Sequence, residues 1–156
     1  MTEQTPVETG PQDQLVVITR VFDAPRQLVF DAWTDPEQVA RWWGPDGFHT
    51  PPDTVEIDLR AGGRYHLSMV QEATGAQFPL RYEIVELVPP ELIVLRHEPI
   101  PEMGINEPTF TLVELHEDGG RTRMSLTDGP YAGTGYAEQG WTQSFGKLDG
   151  VLSAPR

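Results

Sequence analysis

Few side chains in this sequence could carry acid–base or nucleophilic chemistry. Its four histidines, His49, His66, His97 and His116, show neither HxH nor HExxH spacing. No metal site is therefore expected. There is no cysteine, which removes a thiol nucleophile, a disulfide framework and Cys-ligated zinc or iron–sulfur centres. Ser68, Ser125 and Ser144 lie outside any GxSxG context, so nothing in the sequence activates them. Gly62-Gly63 is not followed by the Lys-Ser/Thr of a phosphate loop. No cofactor is expected. What remains is Glu83, His97 and Tyr65. Arg96 and His97 are neighbours on a predicted strand, so they point to opposite faces. An inward His97 could orient a polar ligand head or act as a general base. It could equally be a satisfied core or rim histidine. A three-residue turn at 89–91 would pair Glu83 with His97, either as an inward acid–base couple or as an outward pair on a wet face.

The elements that would position these residues are legible. Gln14–Phe22 is rich in β-branched residues and reads as a strand. It is apolar on both parities, which predicts cover on both faces. A helix follows, with Asp23 as cap, Pro25 near its first turn, and Leu28, Val29, Ala32 and Trp33 as one stripe. Asp35-Pro36-Glu37-Gln38 is a capping-box variant that starts a second short helix carrying Val39 and Trp42, stopped by Gly44-Pro45. From Phe48 onward the period becomes two, with Val55, Ile57 and Leu59, then Tyr65, Leu67 and Met69, on one parity. Strands are predicted at 80–88, Leu92–His97, 109–117 and 120–127, with a proline-bearing loop at 99–108. Asp118-Gly119 reads as a two-residue hairpin turn. In that register His116 faces Arg121, Glu114 faces Arg123, Leu115 faces Thr122 and Val113 faces Met124. One face is then charged and the other mostly apolar. The chain closes with a helix over 135–152, whose stripe is Trp141, Phe145, Leu148 and Leu152. Gly140, Gly146 and Gly150 each weaken it by roughly 1 kcal/mol relative to Ala, so it must be held by packing.

With 156 residues the chain is the size of one domain. Residues 1–13 read as a loosely held polar tail and 14–156 as a single domain. The net charge of −13 disfavours nucleic acid and anionic membranes as partners. No apolar run approaches the roughly 20 residues that span a bilayer, and no secretory signal is visible. A cytoplasmic location without membrane insertion is expected.

The element order predicts an α+β helix-grip fold: about seven antiparallel strands curved around a long C-terminal helix, with two short helices after strand 1. The blocks ITRVFDAPRQLVFDAWTDPEQVARWWGPDGF (18–48), DLRAGGRYHLSM (58–69), YEIVELVPPELIVL (82–95) and GWTQSFGKLDGVL (140–152) resemble bacterial single-domain relatives of the activator of the heat-shock protein 90 ATPase. These belong to the START-like SRPBCC superfamily. The resemblance implies a deep apolar cavity between sheet and helices. Superfamily members bind lipids, sterols, polyketides and plant hormones, and some cyclise or dehydrate polyketides.

The resemblance places Trp42 and Trp43 near the cavity mouth, as an aromatic gate or, for Trp42, as a staple between helices and sheet. Tyr65, Met69, Trp141 and Phe145 lie on the inward parity, as cavity wall or ordinary core. Together with Phe48, Glu83 and His97 these are the residues assigned to a ligand site. The leading reading is binding of a small or medium hydrophobic molecule. One alternative is a cyclase/dehydratase-like enzyme using Glu83, His97 or Tyr65. Another is a module that regulates a chaperone, by family analogy. Phe110 and Leu112, on the outward parity of their strand, would serve such a partner or a homodimer.

Overall fold

The computed structural model describes residues 14–153. The tail predicted at 1–13 lies outside the described residues. The elements are β1 (Gln14–Phe22), α1 (Arg26–Thr34), α2 (Pro36–Trp42), β2 (Phe48–His49), β3 (Glu56–Ile57), β4 (Arg64–Gln71), β5 (Gln77–Val88), β6 (Leu92–His97), β7 (Thr109–Asp118), β8 (Arg121–Tyr131) and α3 (Gly135–Ser153). The strands form one antiparallel sheet in the order β1-β8-β7-β6-β5-β4-β2, with β3 also paired to β4. The sheet curls into a half-barrel around α3, the predicted helix-grip architecture. Two short strands raise the predicted seven to eight.

Alternation along the strands builds the core. Tyr65 and Leu67, Ile84, Ile93 and Leu95, Val113 and Leu115, and Met124 and Leu126 are buried on one face of the sheet. Trp141, Phe145, Leu148 and Leu152 of α3 are buried against them. Burying each such side chain contributes about 1.5–3 kcal/mol, which offsets the glycines of α3. Asp35 caps α2 through the Glu37 N–H at 3.2 Å, and Gln38 Nε2 donates back to it at 3.2 Å. Pro36 occupies the first turn, where its missing N–H costs nothing.

Four local expectations need correction. Pro25, not Asp23, caps α1, and no side chain bonds its first turn. The alternation of Val55, Ile57 and Leu59 yields only a two-residue strand, Glu56–Ile57, because Pro52–Thr54 forms a 3-10 turn before it and Leu59 is exposed. The β7–β8 turn is Gly119-Gly120, both with positive φ, rather than Asp118-Gly119. That suits a type I′ turn better still, and it shifts every pair by two. His116 therefore faces Arg123 and Leu115 faces Met124. A shift of two keeps each residue on its face, so the predicted wet and apolar sides survive. Finally, β1 is an edge strand whose outward residues Leu15, Val17 and Val21 are exposed. Among the described residues nothing covers them. No helix among the described residues is long and apolar enough to cross a membrane.

Candidate functional site

All four tryptophans converge beneath α3. Trp33 ends α1, Trp42 and Trp43 end α2, and Trp141 comes from α3. The Trp33 ring lies 4.7 Å from Trp42 and 5.9 Å from both Trp43 and Trp141. Trp43 meets Trp141 at 5.0 Å, Tyr65 at 5.9 Å and Tyr82 at 6.0 Å. The edge-to-face contacts among these, Trp33 with Trp42 and Trp43, and Trp43 with Trp141 and Tyr82, add about 0.5–1.5 kcal/mol each beyond burial. The indole N–H of Trp42 donates to Ala32 O at 2.8 Å, and that of Trp33 points to Met124 Sδ at 3.3 Å. The Tyr65 hydroxyl donates to Trp33 O. These bonds tie α1 and α2 to each other and to the sheet.

One end of the inner face is polar. The inward parity of β8 that delivers Met124 and Leu126 next delivers Asp128, which is only 3% exposed. Its cross-strand neighbour Thr111 donates to Oδ1 at 2.9 Å. Oδ2 accepts from the Tyr131 hydroxyl at 2.8 Å and from the Trp141 indole N–H at 2.8 Å. The Gly129 backbone N–H is a further donor. Burial pushes the Asp128 carboxyl up from the ordinary range, and these four donors oppose the shift. Tyr82 and Tyr131 are both pushed far up, first by burial and then by the negative charge of Asp128.

Tyr82 and Tyr131 nevertheless keep part of their surface accessible, as do Met69, Phe78 and Leu80 on the same face. The Phe48 and Phe78 rings lie 5.8 Å apart at this end of the sheet.

The residues expected to form the site are thus distributed unevenly. Trp42, Tyr65 and Phe145 are fully buried in the aromatic cluster. Trp43 is 4% exposed and inside it, and Trp141 joins it to Asp128. Met69 and Phe48 are half-buried toward the margin. His97 faces inward, its ring 5.1 Å from Tyr82. Its Nε2 accepts from the Arg81 N–H at 2.9 Å and its Nδ1 donates to Glu98 O at 2.7 Å. Both ring nitrogens are engaged. Glu83 lies elsewhere, exposed and paired with Arg96. The expected Glu83–His97 pair does not form, because the ladder shifts between Ile84 and Glu86 and sets Tyr82 opposite His97. Among the described residues no group of three or more His, Asp or Glu side chains is placed to hold a metal ion.

Sequence reasoning passed over Asp128, Thr111, Tyr131 and Tyr82. The predicted last strand stopped at Thr127, one residue short. Continuing the alternation Thr122, Met124, Leu126 would have put a carboxylate on the apolar face.

A sheet curled around one long C-terminal helix defines the START-like helix-grip class. Residues 23–153 match the family described as Activator of Hsp90 ATPase homolog 1-like protein, and the chain belongs to that family. A Chromobacterium violaceum protein of known structure is 26% identical, with a TM-score of 0.81 over 90% of this chain and 98% of that one. An Arthrobacter aurescens protein is 23% identical, with a TM-score of 0.77 over 90% of this chain and 87% of that one. The AHSA1 protein of Silicibacter pomeroyi is 21% identical, with a TM-score of 0.73 over 90% and 98%. No curated protein matches.

Proposed function

We propose that this protein binds a small, largely apolar molecule in a recess between α3 and the inner faces of β4 and β5. The observation that carries this reading is Tyr82. It is held among aromatic rings and strongly desolvated, yet part of its surface remains accessible together with Met69, Phe78 and Leu80. Binding pockets combine apolar walls with a few placed polar groups, and the Asp128–Thr111–Tyr131 cluster supplies the polar end. The binding habit of the family supports the same reading. An acid–base role finds less support, since Glu83 is on the outside and His97 has no free ring nitrogen. The acidic surface and the lack of a membrane-crossing helix among the described residues fit a ligand carrier in the cytoplasm.

The test is a titration with 2-naphthol followed by tryptophan fluorescence. The wild type should bind and its emission should change, because Trp43 touches Tyr82 and Trp141 touches Asp128. Leu80→Trp, which fills the recess from a half-buried position, should weaken binding about tenfold or more at an unchanged unfolding midpoint. Equal binding by a folded Leu80→Trp variant would place the ligand elsewhere, and no binding by the wild type would defeat the proposal.

A further inference from the structure

The polar end of the recess holds an acidic group and no base. Asp128 is 3% exposed, and every donor that reaches it is uncharged: the Thr111 and Tyr131 hydroxyls, the Trp141 indole and the Gly129 N–H. The basic side chains of β4, β5, β6 and α3 are engaged or exposed elsewhere. Arg64 and Arg81 are exposed on the outer parity of β4 and β5. Arg96 pairs with Glu98 at 2.6 Å on the outer side of β6. The single lysine, Lys147, donates to the carbonyls of Pro45 and Phe48 at 3.2 and 3.1 Å. His97 presents an accepting Nε2, already occupied by the Arg81 N–H. The indole and backbone N–H groups can only donate, so the carboxyl is met as an acceptor, and its ionised form is the one four donors best satisfy.

A guest at this end would therefore have a buried carboxylate behind the Thr111, Tyr131 and Trp141 donors and no cation to offset it, in surroundings that screen charge poorly. The walls work in the same direction. Trp43, Tyr82 and Trp141 are in ring contact with one another here, and aromatic faces attract cations and repel anions. A carboxylate or phosphate head would be stripped of water and set against both.

We propose that the recess selects its ligand by charge, accepting uncharged or cationic amphiphiles and rejecting carboxylates and phosphates, with Asp128 as the specificity-determining residue. Free fatty acids and acyl phosphates are then outside its ligand class, while aromatic alcohols, amines and quaternary ammonium compounds are within it. This rests on the binding reading above and adds the chemical class of the guest.

The experiment uses three naphthalene probes of matched shape at pH 7: 2-naphthol, 2-naphthoate and the 2-naphthyl-trimethylammonium ion. Calorimetric titration of the wild-type protein should rank the cation and the alcohol at least about tenfold tighter than the carboxylate. In Asp128→Asn the carboxylate should approach the alcohol to within about twofold. The wild-type ranking decides the charge preference even if Asp128→Asn does not fold. A carboxylate that binds the wild type as tightly as the alcohol overturns the inference. So does a preference that persists unchanged in a folded Asp128→Asn variant, since Asp128 would then not set it. Failure of all three probes to bind would instead overturn the binding reading on which this one stands.

Discussion

At the scale of single residues, Asp128 concentrates the energetics of the interior. Removing it with Asp128→Ala would leave the Tyr131 hydroxyl, the Trp141 indole and the Thr111 hydroxyl without their common acceptor. Each orphaned buried donor costs about 1–3 kcal/mol, so urea unfolding should show a loss of roughly 3 kcal/mol or more. The charge itself carries a pH signature. Folding raises this carboxyl's pKa, so its stabilising contribution is full below about pH 4, the unfolded value, and is lost as pH rises through the folded one. Asp128→Asn has no such titration. Wild-type stability should therefore fall relative to Asp128→Asn between pH 4 and pH 7, as read by urea unfolding of both proteins at each pH. A wild type that gains on the variant over that range would contradict the shift. This residue was hard to read in sequence because an aspartate before Gly-Pro resembles a turn. Its inward placement follows only once β8 is carried past Thr127.

The elements show where local rules suffice. Phe22, Trp33, Trp42 and the α3 stripe were recoverable from β-branched runs, capping residues and helical spacing, because each signal lies within a few residues of its element. Registers were less accessible. The hairpin slipped by two because Asp-Gly and Gly-Gly are both competent turns, and β5 slipped by one at its bulge. A bulge has no local sequence mark here, and it decided that Tyr82 rather than Glu83 faces His97. Two substitutions test the element account. An added Cβ at Gly146 meets nothing within 4 Å, so Gly146→Ala should raise stability by about 0.5–1 kcal/mol in thermal or urea unfolding. Asp35→Ala should cost about 1 kcal/mol by removing the cap of α2. No loss there would mean that packing of Val39 and Trp42 alone holds the helix.

At the scale of the whole molecule, a half-barrel wrapped on one helix leaves two kinds of interior. Toward the β7–β8 turn, Ile93, Val113, Leu115, Met124 and Leu126 are buried almost completely. Toward the other end, Met69, Phe78, Leu80, Tyr82 and Tyr131 are only half-buried, and a buried carboxylate, Asp128, accepts from Tyr131. The helix-grip order was legible because strand and helix periods alternate plainly along the chain. The difference between the two ends was not, because it depends on how side chains from β4, β5, β8 and α3 meet across the barrel. The central claim is that the open end holds a guest. Native mass spectrometry tests it most directly, on protein incubated with excess 2-naphthol and compared with its denatured mass. The account predicts a near-stoichiometric adduct that is present in the native spectrum and lost on denaturation. The bare protein mass under both conditions would contradict it.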